Sequence, residues 1–249
     1  MNMPAAPADP TWFRICPATG RRIDLGAQRL IKVHAVASVV SLLIGAIAAV
    51  LLVLTRWQAV HLLPAVWFYR ILGVHGMSML IFFIIFFEMA VLLFASTVLL
   101  SARNSAPKTS WAGFTLMLIG ALTVEAMMWS GRADVLFTSY VPLRADPLFY
   151  LGVILFAVGA LVTVGVFFAN LVVAKREGTY QGSLPLVVYG AMTAAIIAVI
   201  TLVHGAAIYI PTFLWSLGLM NVDPEIYRMV WWGLGHSSQQ INVAVMVAL

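Results

Sequence analysis

The stretch YRILGVHGMSMLIFFIIFFEMAVLLFASTVLL, residues 69–100, decides the fold class. It stays apolar for longer than the roughly 20 residues a helix needs to cross the hydrocarbon core. Only Arg70, His75 and Glu88 bring charge or an imidazole into it. A membrane strand would run for only about 10 residues and would alternate apolar with polar. This stretch does neither, so it reads as a transmembrane helix.

Five further stretches repeat the pattern: about Ile31 to Leu54, Trp111 to Ser130, Leu148 to Ala174, Leu184 to Ile210, and Glu225 to the end. Turn and breaker residues separate them, at Arg103 to Lys108, Pro142 to Pro147, Lys175 to Ser183 and Asn221 to Pro224. The expected fold is an all-α polytopic transmembrane bundle of about six spans, with residues 1–30 as an N-terminal segment and residues 31–249 as the helices. Composition agrees: 63% of the 249 residues are hydrophobic and 9% charged, against about a quarter charged in a soluble domain. That excludes a water-soluble globule, a disordered chain and a nucleic-acid-binding protein. The N-terminus has no apolar core and is not a signal peptide. The lone Cys16 forms neither an internal disulfide nor a thiolate cluster. The last span ends still apolar at Met246 to Leu249, which predicts a truncated chain.

The net charge of +5 is spread over the loops. On the N-terminal side lie Arg14, Arg21, Arg22, Arg29, Lys32, Arg103, Lys108, Lys175 and Arg176; on the other lie Arg56, Arg70, Arg132, Arg144 and Arg228. The excess places the N-terminus in the cytoplasm. Trp57, Trp67, Tyr69, Trp129, Tyr140, Tyr150, Tyr209, Trp215, Tyr227, Trp231 and Trp232 gather at the outer ends, where such rings favour the headgroup level.

Ionisable groups at bilayer depth are costly and mark candidate sites. His75 reads either as a heme axial ligand, with Gly73 and Gly76 leaving room for a planar macrocycle, or as a hydrogen bond between helices. His236, at the head of the polar run Ser237-Ser238-Gln239-Gln240, reads either as a metal ligand or as interhelical glue. His204 lies near a helix end within reach of interfacial water, and His34 and His61 lie at or beyond helix ends, solvated. Glu88 and Glu125 read either as proton relays or as neutral acids bonded to a neighbouring helix. There is no P-loop, GxGxxG, HExxH or nucleophile elbow.

Three landmarks carry a resemblance. Trp67 to Gly76, ending in the pair His75-Gly76, resembles the second helix of subunit I of heme–copper oxidases. Val135 to Arg144, followed by Phe149-Tyr150-Leu151-Gly152, resembles the loop between helices three and four, in its B-type form. Trp231-Trp232 followed by Gly235-His236 is similar to the sixth helix. The resemblance implies His75 as a low-spin heme ligand, His236 as a ligand of copper B (CuB), and a high-spin heme whose ligands lie beyond Leu249. It also implies a multi-pass protein of a bacterial or archaeal plasma membrane, in contact with lipid and with a subunit II-like partner. Such a protein takes electrons from cytochrome c or a similar donor and reduces O2 to water; the fragment alone is expected to be inactive.

One position departs from the pattern. Four residues after the sixth-helix histidine, one turn away, oxygen-reducing members usually carry a tyrosine; here it is Gln240. Cleaving O2 fully takes four electrons, one of which that phenol supplies with a proton. Coupling two NO molecules takes only two, so Gln240 raises nitric oxide reduction as the alternative activity. A non-redox transporter or accessory subunit with structural histidines is the remaining reading.

Overall fold

A computed structural model describes residues 12–248. Six helices follow one another: α1 (Leu25–Arg56), α2 (Ala65–Val98), α3 (Pro107–Trp129), α4 (Pro147–Glu177), α5 (Leu186–Ser216) and α6 (Pro224–Ala248). The first five are long and apolar enough to cross a membrane. The sixth is a helix of 25 residues whose middle carries the polar run from His236 to Gln240.

The ends are set by local chemistry. Asp24 caps α1 by accepting from the Ala27 amide at 2.9 Å, so the helix begins well before the expected Ile31. Asp146 and Asp223 cap α4 and α6 in the same way. Pro107, Pro147 and Pro224 open their helices, where a missing N–H costs nothing. Gly178 closes α4 at φ 62°.

Ahead of α1, strands β1 (Phe13–Ile15) and β2 (Arg22–Asp24) pair antiparallel, Arg14 opposite Ile23. This hairpin was not expected. Its strands are too short to show alternation, and the Arg22 guanidinium over the Phe13 ring, 4.1 Å from its centre, helps hold it.

Within α2 the backbone widens into π-helical turns at Met77–Phe83 and Phe94–Val98. Each adds a residue to the turn and re-aims the side chains beyond it.

Small residues bring the helices together. A Cβ on Gly120 would lie 2.5 Å from the Gly152 carbonyl oxygen, and one on Gly159 would lie 2.5 Å from that of Gly113. The α3 and α4 backbones therefore touch along two glycine pairs spaced seven residues apart, the close approach that membrane helices use in place of a hydrophobic driving force. Further in, Phe82, Phe86 and Phe156 meet edge to face. Apolar side chains of α1, Val36, Val39, Leu43, Val50 and Val53 among them, face outward, as lipid contact requires.

Candidate metal centre

His75 lies in α2, two residues before the first widened turn. Its Nδ1 is 2.9 Å from the carbonyl oxygen of Gly45 on α1. A carbonyl only accepts, so Nδ1 carries the proton and Nε2 keeps its lone pair. Metal-binding imidazoles are held in this way, with the second nitrogen donating to a backbone carbonyl. The ring is half-buried.

The glycines on either side do something other than make room for a macrocycle. A Cβ on Gly73 would come within 2.7 Å of Met128 Cε and 2.9 Å of the Val135 carbonyl oxygen; one on Gly76 would come within 3.1 Å of the Phe137 ring. Both admit the loop between α3 and α4 against α2. The expectation of an open heme face at these positions is therefore corrected, because protein fills the space.

That loop is fixed to the bundle by its charges. Arg70 donates to Asp134 through Nε and Nη2, at 2.9 and 3.1 Å, while its guanidinium stacks on Trp67. Arg132 pairs with Asp146. Phe137 reaches from the Gly76 contact to Trp231 of α6, with ring centres 5.8 Å apart. All three landmarks of the sequence thus meet at Phe137.

On α6, His236 is exposed on the chain as it stands. Trp232 stacks on its ring at 4.9 Å and 32°. Its Nδ1 lies 3.4 Å from Gln239 Oε1, which accepts. Gln239 is therefore the glutamine that touches His236, while Gln240 is exposed one turn on. A cleft with about 120 Å³ of room for water opens between α2 and α6, lined by Leu80, Ile81, Phe137, Trp231, Trp232 and Gln239. Among the described residues no three His, Cys, Asp or Glu side chains converge as a metal set.

The two intramembrane acids differ. Glu125 accepts from Ser78 Oγ at 2.7 Å through one oxygen and from Trp129 Nε1 at 3.0 Å through the other. Glu88 is buried, and its Oε1 has no hydrogen-bond partner.

Residues 29–249 match the family described as cytochrome c and quinol oxidase polypeptide I. The chain belongs to this family. Cytochrome c oxidase subunit 1 of Thermus thermophilus is 29% identical over 183 residues, covering 71% of this chain and 32% of that protein. A heme–copper terminal oxidase, solved as a dimer by cryo-electron microscopy, superposes with a TM-score of 0.81 at 26% identity over 91% of this chain and 39% of that one. The chain thus spans about a third of the length of the curated relative it matches.

Several side chains of this polypeptide I were missed or misplaced from sequence. His34 is fully buried within α1 rather than solvated at its end, because the Asp24 cap starts the helix early. Its Nδ1 donates to the Leu30 carbonyl at 2.9 Å, its Nε2 has no partner, and Phe114 packs against it at 4.8 Å. His204, partly exposed, bonds the Ile200 carbonyl and lies against Gly233 of α6. His61 is exposed, as expected. Tyr150, Tyr209, Tyr227 and Trp231 are buried within the protein. Tyr227 Oη, for instance, donates to the Thr138 carbonyl and lies 3.0 Å from Ser139 Oγ. These rings anchor the α3–α4 loop, and only that loop's fold reveals it.

Proposed function

We propose that the chain is the N-terminal part of the catalytic subunit of a B-type-like respiratory terminal oxidase, which reduces O2 to water with electrons from cytochrome c or a similar small donor. In this reading it works in a bacterial or archaeal plasma membrane beside a subunit II-like partner. The observation that carries the reading is the meeting of the His75 helix, the Phe137 loop and the Trp231–His236 helix at one place.

The histidines fit the groups the family implies. His75 presents a free Nε2, as a low-spin heme ligand must, and His236 has an Nε2 unengaged by protein, as a copper ligand must. Bound heme and copper supply the electron carriers and the open coordination position for a gas. The chain's own contribution is to hold the ligands: the Gly45 carbonyl fixes the His75 ring, and Trp232 packs against His236. Phe137 lines the cleft between α2 and α6.

His75→Ala in the complete subunit should abolish the low-spin heme band in a reduced-minus-oxidised spectrum while the protein still inserts. A normal six-coordinate spectrum in that variant would remove His75 from the site.

Nitric oxide reduction is the second reading, and Gln240 favours it. The ring stacked on His236 is the indole of Trp232, and the position where an oxidase phenol is expected carries an amide. Turnover of the complete enzyme with each gas separates the two, with Gln240→Tyr as the restoring variant. Brisk NO consumption beside negligible O2 turnover would reverse the ranking.

A further inference from the structure

The two acids inside the bundle are not equivalent, and the difference lies in what surrounds them. Glu125 has both oxygens engaged by Ser78 and Trp129. Glu88 is 6% exposed, and its Oε1 accepts from nothing in the protein. A buried carboxyl oxygen left without a donor is costly unless water or a proton serves it.

Glu88 also lines a cavity with about 60 Å³ of room for water, together with Thr201 of α5 and Ser238 and Asn242 of α6. Thr201 donates to the Ile197 carbonyl at 2.9 Å, and Ser238 donates to the Gly235 carbonyl at 2.7 Å. Each hydroxyl proton is thereby committed, and each oxygen keeps its lone pairs as acceptors facing the cavity. Four polar side chains around that space meet the requirement for ordered water, which needs about 10–15 Å³ and two to four polar partners. The rest of the lining is apolar, including Ile81, Ile84, Ala160 and Val164. Leu80, Ile81, Ile84, Ser238 and Asn242 also line the cleft that holds Trp232 and Gln239, so the two spaces adjoin.

We propose that Glu88 is a proton-carrying acid that serves the α6 site through this hydrated chamber, and that Glu125 is not. The inference rests on the reading of His236 as part of the reducing site. In each cycle Glu88 gives its proton to a chamber water that accepts from it, and the excess proton passes by way of the waters held on Ser238 and Asn242. The carboxylate then regains one proton from the opposite side of the bundle, so the residue ends as it began. Glu125, pinned by two donors, keeps its place beside the His75 helix and positions Ser78.

The test uses the complete, heme-loaded complex. Infrared spectra recorded while H2O is replaced by D2O should contain a protonated-carboxyl band that is lost in Glu88→Gln and kept in Glu125→Gln. Thr201→Leu, which fills the chamber, should slow the deuterium shift of that band about tenfold, and proton uptake followed with a pH dye should fall about tenfold in Glu88→Gln at unchanged heme content. Should Thr201→Leu fail to assemble, Thr201→Val, which removes only the hydroxyl, gives the same reading of exchange. A Glu88 band that exchanges equally fast in the chamber variants, or uptake unchanged in Glu88→Gln, overturns the proposal. Heme spectra of the same samples keep the two readings apart. Normal heme with unhindered exchange sinks the proton path alone, whereas absence of heme from the wild-type complex sinks the functional reading beneath it.

Discussion

His34 shows how much one side chain's surroundings decide. It sits between Phe86 and Phe114, bonded at Nδ1 to the Leu30 carbonyl and unpartnered at Nε2. An unsatisfied buried nitrogen costs about 1–3 kcal/mol, so an aromatic ring of similar size should be tolerated or better. His34→Phe should leave the thermal midpoint of the solubilised subunit unchanged or raised. His34→Asp, which buries a group with no donor nearby, should lower it by several degrees. Two silent variants would mean the position is solvated after all. No local pattern warns of this, because whether a histidine near a helix start is wet depends on where the cap falls. Cys16 offers a second residue-scale readout, and it reports the side on which the N-terminus lies. The Thr19 hydroxyl beside it holds the Cys16 thiol below the usual cysteine range. A lowered pKa means that the reactive thiolate persists to lower pH than in a free cysteine. A membrane-impermeant maleimide should therefore label inverted vesicles but not intact cells, with labelling continuing below the pH at which free cysteine slows. Labelling of intact cells would reverse the orientation.

At the scale of elements, the pair α3–α4 carries the strongest prediction. Its glycines admit backbone against backbone at 113–159 and 120–152, and the atoms nearest an added Cβ on Gly120 are all backbone, which cannot yield as a flexible side chain could. Gly120→Val should separate the helices and destabilise the subunit by about 1–3 kcal/mol or more. Gly165 on the same helix α4 has nothing within 4 Å of an added Cβ, so Gly165→Ala should be silent in the same melt. Equal stability of both variants would show that the glycine contacts are not what holds the pair. The helices themselves were legible, since each is announced by an apolar run and by Pro or Asp at its start. The π-helical turns of α2 were not, because an extra residue in a turn leaves no mark in an unbroken run such as Ile81 to Phe87.

For the molecule as a whole, the sequence by itself determined that the chain crosses a membrane several times, roughly where it does so, and which few residues are out of place in lipid. These are local facts, because a span must satisfy its own hydrogen bonds and its own length within about 20 residues. The three family landmarks were legible for the same reason, each being a short run of neighbouring residues. What only the tertiary structure decided is who meets whom. His75 finds the carbonyl of Gly45, thirty residues away, and Glu125 finds Ser78, forty-seven away. Gly73 and Gly76 turn out to face a loop rather than an open heme face, and Glu88 faces a chamber with an unpaired oxygen. Such partnerships depend on helix rotation and on the re-aiming that the π-helical turns impose, and both are fixed by packing between distant segments. A local pattern names the acids; only the packed bundle separates the one that is pinned from the one left free.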